Sequence, residues 1–124
     1  ALAGTVLHDQ LYIVVPKQGL AVYDPLTQRW MMHALPSVPR SCQMAAYRDE
    51  IWMMGGVDIQ NPLQTLVFDP RSGLCRQGPP MPTALSWGGA AVVNDQLLVI
   101  GGAGLRTGNV RTYAYSDMVL ALQS

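Results

Sequence analysis

The chain has 124 residues, 49% of them apolar and 13% charged, a composition that describes a globular interior and argues against a disordered tail. Eight basic and eight acidic side chains cancel without forming a basic stripe, so the electrostatic footprint of a nucleic-acid or anionic-membrane binder is missing. No stretch approaches the roughly 20 apolar residues that span a bilayer, and the opening ALAGTVLHDQ has no basic segment followed by an apolar one, so the visible chain reads as soluble and cytoplasmic.

Twelve glycines and nine prolines imply frequent turns, and helix formers never gather into a run with apolar positions three and four apart. Short strands are expected. In chain order, DQLYIVV begins at Asp9, AVYDPLTQRW occupies 21–30, and ALPSVPRSCQMAAY from 34 leads through a Pro-rich loop into a small-residue strand. DEIWMMGG then begins at Asp49, LVFDPRSGLC occupies 66–75, and GPPMPTALSWGGAAVV follows from 78. A third round brings DQLLVIGG at Asp95 and YAYSDMVLALQS from 113. The recurring Asp positions lie 40 and 46 residues apart, so the sequence is an internal repeat.

In the middle unit the strands are expected at Gln43 to Tyr47, Ile51 to Met54, Leu63 to Phe68 and Leu74 to Gln77, each bounded by turn residues. Four strands in a unit of about 45 residues is the arithmetic of a propeller blade. The fold class is therefore all-β: a β-propeller fragment of four-stranded antiparallel blades, about two and a half to three of them in an open arc. A blade buries its faces only against neighbours, so such an arc is expected to expose its flanks and to be prone to oligomerise unless further blades complete it.

Residue chemistry supports this reading. Adjacent glycines at 55–56 and 101–102 allow φ values closed to other residues and close strand approach. Asp24 and Asp69, each followed by Pro, can accept a bond from a downstream backbone N–H and so act as turn formers. Trp30 and Trp52 are expected in the core, and Met31, Met32, Met53 and Met54 as fillers between blades. Trp87 follows the second Pro-rich loop, where a rim aromatic can anchor a ligand.

Gly55-Gly56 with Phe68-Asp69, Gly101-Gly102, and Tyr23-Asp24 with Trp30 together resemble the kelch repeats, most closely the kelch domain of BTB-kelch proteins. The resemblance covers nearly the whole chain as blade units of approximately 1–40, 41–84 and 85–124. It departs from the pattern in three places. Val15-Pro16 stands where glycines are due, Cys75 takes the Trp position, and the chain reaches Gln123 where the third Trp is due, which leaves the last blade incomplete.

No catalytic residue, cofactor or metal ligand set is assigned. His8 and His33 share no ligand spacing with Cys, Asp or Glu, and the sole glutamate, Glu50, falls in a turn between strands. GGAGLRTG at 101–108 runs on into strand and not helix, so it reads as a loop and not a phosphate cradle. Cys42 and Cys75 have no paired spacing and are expected as reduced thiols. Cys42, two residues beyond Arg40, has two readings: a redox-sensitive thiol, or the simpler half-buried small hydrophobe.

In a blade the loops joining second to third strand and fourth strand to the next blade leave on one face. That face is expected to hold Asp58, Gln60, Asn61 and Gln64 from the middle unit, Arg106, Thr107 and Asn109 from the third, and Arg40, Ser41, Ser86 and Trp87 from the inter-blade loops. Guanidinium groups ringed by hydroxyls and amides suit an acidic or polar peptide. The kelch resemblance implies a protein-binding module, the substrate-recognition part of a cullin-RING ubiquitin-ligase adaptor. Its remaining blades or BTB-containing region would lie outside this sequence. The alternative implied by resemblance is a fragment of a carbohydrate-active or oxidase propeller.

Overall fold

A computed structural model describes residues 3–56, 60–61, 63–81, 89–101, 111–116 and 119–123, with the backbone alone from Gly101 onward. Every regular element among them is a strand. The first sheet comprises β1 (Ala3–Leu7), β2 (Gln10–Val15), β3 (Gly19–Asp24) and β4 (Arg29–His33). The second comprises β5 (Gln43–Tyr47), β6 (Glu50–Met54), β7 (Thr65–Asp69) and β8 (Leu74–Gln77), and the third β9 (Gly89–Val93), β10 (Gln96–Gly101), β11 (Arg111–Ser116) and β12 (Val119–Gln123). Each sheet is an antiparallel meander in sequence order, and the three make a partial, open β-propeller.

Local chemistry explains the meanders. In each sheet the first two strands are joined by two residues, both in the left-handed region: His8 and Asp9 (φ 50° and 62°), Arg48 and Asp49 (50° and 60°), Asn94 and Asp95 (50° and 59°). Two consecutive positive φ values give the type I′ hairpin, whose twist matches that of the strands, and Asn or Asp tolerates this region best. Between third and fourth strands Asp takes over as expected. Asp24 Oδ1 accepts the Leu26 N–H at 2.9 Å, and Asp69 Oδ1 accepts the Arg71 N–H at 2.9 Å while its carbonyl accepts the Gly73 N–H at 2.8 Å.

Strand alternation then divides the middle sheet between two cores. Ile51 and Met53 on β6, with Leu66 and Phe68 on β7 and Met44 on β5, meet Tyr12, Val14, Leu20 and Val22 of the first sheet. The intervening residues Trp52, Met54, Val67, Ala45 and Tyr47 meet Leu97 and Val99 of the third. His33 and Phe68 stack across the first junction with ring centroids 4.8 Å apart, and Tyr47 meets Trp52 edge-on at 5.6 Å.

Four sequence expectations need correction. The third sheet is not incomplete: β12 pairs with β11 from Ser116↔Val119 to Thr112↔Gln123, because strand pairing needs backbone register and not the missing Trp. Trp30 is 57% exposed and Met31 and Met32 are exposed as well, whereas Trp52, Met53 and Met54 are buried. The difference is position, since β4 is the outer strand of a sheet with only one neighbour. Glu50 opens β6 and does not lie in a turn; its carboxylate makes a two-bond pair with the Arg76 guanidinium on β8. β7 also begins two residues later than expected, at Thr65, because Leu63 and Gln64 belong to the preceding loop.

One of the two central glycines is required by close approach. Gly56 has φ +113°, and a Cβ there would lie 2.9 Å from Pro39 Cβ and 3.0 Å from the Arg40 carbonyl oxygen. Gly73, at φ +72°, has open space around the same position. Gly56→Ala should therefore lower unfolding free energy by about 1–3 kcal/mol and Gly73→Ala by about 1 kcal/mol, read as the difference in urea midpoints. Equal losses would mean that φ alone matters and the contact with Pro39 does not.

Candidate functional site

The register Gln43↔Met54↔Thr65 puts the start of β5, the end of β6 and the start of β7 in one row. The 34–42 connection and the 55–64 loop therefore leave the middle sheet at the same end. Backbone bonds fold the second of these onto the sheet. The Gly55 N–H donates to the Gln64 carbonyl at 2.9 Å, the Gln64 N–H to the Asn61 carbonyl at 3.1 Å, and the Met81 N–H to the Leu63 carbonyl at 2.8 Å. Gly56 lies against Pro39 and Arg40, which brings the two loops together.

Of the expected rim residues, Arg40, Ser41, Gln60, Asn61 and Gln64 can be placed; Asp58, Ser86, Trp87, Arg106, Thr107 and Asn109 lie outside the described residues. Arg40, Gln60 and Asn61 are exposed, and Ser41 is half-buried with a left-handed backbone (φ 58°). Asn61 is partly committed to its own loop, for Oδ1 accepts the Leu63 N–H at 3.0 Å. Gln64 is not a rim side chain. It is 8% exposed, and its Nε2 has no hydrogen-bond acceptor among the described residues. Its place in a polar sequence suggests exposure, but the bonds to Gly55 and Asn61 turn this part of the loop inward.

The opposite end of the sheets carries an arrangement that the sequence reading missed. His8 Nε2 lies 3.2 Å from Asp49 Oδ1, and the Arg48 guanidinium donates to Asp95 Oδ2 at 3.2 Å. The Tyr47 hydroxyl donates to the Asp95 carbonyl at 2.7 Å, with Arg48 over its ring at 5.0 Å. In the His8 and Arg48 pairs the residue before the turn Asp of one sheet reaches the turn Asp of the next. The available signal was a polar pair between two strands, recurring in register with the repeat, which marks three equivalent tight turns.

Asp24, Asp49, Glu50, Asp69 and Asp95 are thus engaged in structure. Asp69 is held below the usual carboxylate range chiefly by the Arg71 backbone N–H; desolvation opposes this, and the Ser72 hydroxyl and the Arg71 charge add to the lowering. No group of three or more His, Cys, Asp or Glu that could hold a metal occurs among the described residues, and no helix among them is long and apolar enough to cross a membrane.

The cysteines bear on the redox reading. Cys42 is buried in the junction between the first two sheets, and burial pushes its thiol up to about 12, against a small lowering by a backbone hydrogen bond. Cys75, opposite Phe68 and half-buried, is also raised by burial, with Arg76 opposing. A thiolate is the reactive form, so burial disfavours the redox-sensor reading of Cys42.

No protein-family model matches this sequence, and no curated protein matches it. Solved structures do: the structure of YjhT superposes with a TM-score of 0.81 at 13% sequence identity, over 99% of this chain and 50% of that one. The chain thus spans about half the length of that structure, and at this identity the likeness is one of fold.

Burial of Cys42 has a pH signature. A thiol raised in the folded state contributes stability that is present below its ordinary value of 9.0 and is lost as pH rises toward about 12. The urea midpoint should fall above pH 9, and Cys42→Ala should flatten part of that fall, although it starts from a lower stability. In the native protein at about pH 8, below the ordinary thiol value, a maleimide should label Cys75 well before Cys42; equal labelling rates would show that Cys42 is not enclosed.

Proposed function

We propose that the chain is a kelch-type protein-binding module that takes a polar or acidic peptide on the end of the middle sheet where the 34–42 and 55–64 loops meet. In the wider setting that the kelch resemblance implies, it is the substrate-recognition part of a cytoplasmic cullin-RING ubiquitin-ligase adaptor. The observation that carries the binding reading is the junction at Gly56, where the loop that also holds exposed Gln60 and Asn61 lies against Pro39 and exposed Arg40. A guanidinium can grip a carboxylate with two parallel bonds, and neighbouring amides adapt to a peptide backbone. The described carboxylates favour binding over catalysis. Asp24 and Asp69 accept bonds within their turns, Glu50 pairs with Arg76, and Asp49 and Asp95 join neighbouring sheets.

Peptide arrays of graded charge provide the test. Acidic peptides should bind in preference to basic ones, and Arg40→Glu should weaken the best of them by about tenfold or more, the scale of one charge-assisted pair. Binding that ignores peptide charge and survives Arg40→Glu would remove this site. For the wider role, cullin should co-purify with the full-length protein from cells; stoichiometric copper in the purified protein, with no cullin, would replace the adaptor with an oxidase.

A further inference from the structure

The middle sheet is covered on both faces by sheets of this chain, and its buried polar side chains all lie at one end. Gln43, Gln64 and Thr65 are the buried amide and aliphatic hydroxyl side chains among the described residues. Gln43 and Thr65 share the row that ends the sheet, on either side of Met54, and Gln64 is the next residue out, in the 55–64 loop. The two cores beneath contain no amide.

Of the three, only Gln64 carries a side-chain nitrogen or oxygen that is enclosed without a hydrogen-bond partner among the described residues, its Nε2. An amide N–H enclosed in this way has given up water and gained no acceptor, which destabilises the folded state. Such an orphan in a folded protein calls for a use. The main chain of Gln64, by contrast, is held at both groups: its N–H donates to the Asn61 carbonyl and its carbonyl accepts the Gly55 N–H. The side chain can therefore turn about its own torsions while the backbone stays in place.

The same bonds put Gln64 in the loop junction. The Gly55-Gly56 pair is bonded to Gln64 through the Gly55 N–H and lies against Arg40 through Gly56. Gln64 and Arg40 thus flank the same two glycines, the first enclosed and the second exposed.

We infer that Gln64 is the inner anchor of the peptide site: a carboxylate of the peptide that enters between the 34–42 and 55–64 loops draws the Gln64 amide outward and accepts a bond from Nε2, on the opposite side of the glycine pair from Arg40. The inference rests on the peptide-binding reading and adds to it a donor held in reserve. The free protein keeps the amide where it is least satisfied, so the ligand gains the whole of the new bond without competing against an internal one.

Gln64→Met keeps the bulk of the side chain and removes the donor. In the full-length protein it should raise the urea midpoint by about 0.5 M, because an apolar group replaces an enclosed orphan, and weaken the best acidic peptide of the array about tenfold, the scale of one hydrogen bond to a charged group. Higher stability with poorer binding is a combination that a purely structural amide does not give. A lower midpoint, or a variant that fails to fold, would mean that the amide is satisfied inside by enclosed water, and would overturn the inference. So would a higher midpoint with unchanged affinity while Arg40→Glu still weakens the peptide; the binding reading would then stand without its inner anchor. Affinity indifferent to Arg40→Glu would remove the reading and this inference together.

Discussion

A β-sheet with apolar residues on both faces cannot be stable alone, and the middle sheet is such a sheet. Along β6, Ile51 and Met53 go to one core and Trp52 and Met54 to the other, with no residue from 51 to 54 left for solvent. At roughly 1.5–3 kcal/mol for each fully buried large side chain, these four alone outweigh any surface contact between the sheets. The requirement passes along the chain, since the neighbours that cover β6 are themselves sheets with a second face. Stacking therefore follows from a continuous apolar run in place of the alternation that a one-sided sheet would show.

This demand on the faces leaves only the two ends of each sheet for other purposes, and the ends differ. At one end, two-residue turns in the left-handed region fix the spacing of the strands, with no length to spare for recognition. At the other, the 34–42 and 55–64 loops are long, and Gly56 holds them together where a side chain would collide with Pro39. Length variation is tolerated at this end because the loops add to the sheet without interrupting it. The first sheet illustrates the limit: Pro16, Lys17 and Gln18 suffice to turn β2 into β3, closed by the Gln18 N–H on the Val15 carbonyl at 3.0 Å.

The strands of the middle sheet are legible because turn residues bracket each apolar run, and Asp69 bonds its turn in the way that an Asp before Pro suggests. What escapes is information about neighbours. Trp30 and Trp52 look alike in sequence, but one lies on an outermost face and the other between two sheets. Gln64 reads as a loop amide, and only the return of its carbonyl to Gly55 draws it inward. β12 is legible as a strand pattern, and the lack of a Trp is no obstacle to it, since Leu120 and Leu122 pair in register with Tyr115 and Tyr113. Packing partners distant in sequence decide each case, and local pattern carries little about them.

The ladder of turns separates strength from order. His8 with Asp49 and Arg48 with Asp95 are exposed pairs, each worth about 0–1 kcal/mol, too little to hold sheets whose faces bury several large side chains. Their value lies in direction. Apolar faces are tolerant of what covers them, and a sheet turned over or slipped by one strand would still bury Met and Leu against Met and Leu. A donor placed before each Asp makes the two sides of every junction different: the native sense sets a donor against a carboxylate, whereas a sheet turned over would set donor against donor at one junction and carboxylate against carboxylate at the next. The Tyr47 hydroxyl on the Asp95 carbonyl adds a contact that depends on position and not on charge. The apolar faces thus supply the cohesion, and the polar turns specify the sense in which each sheet faces its neighbour.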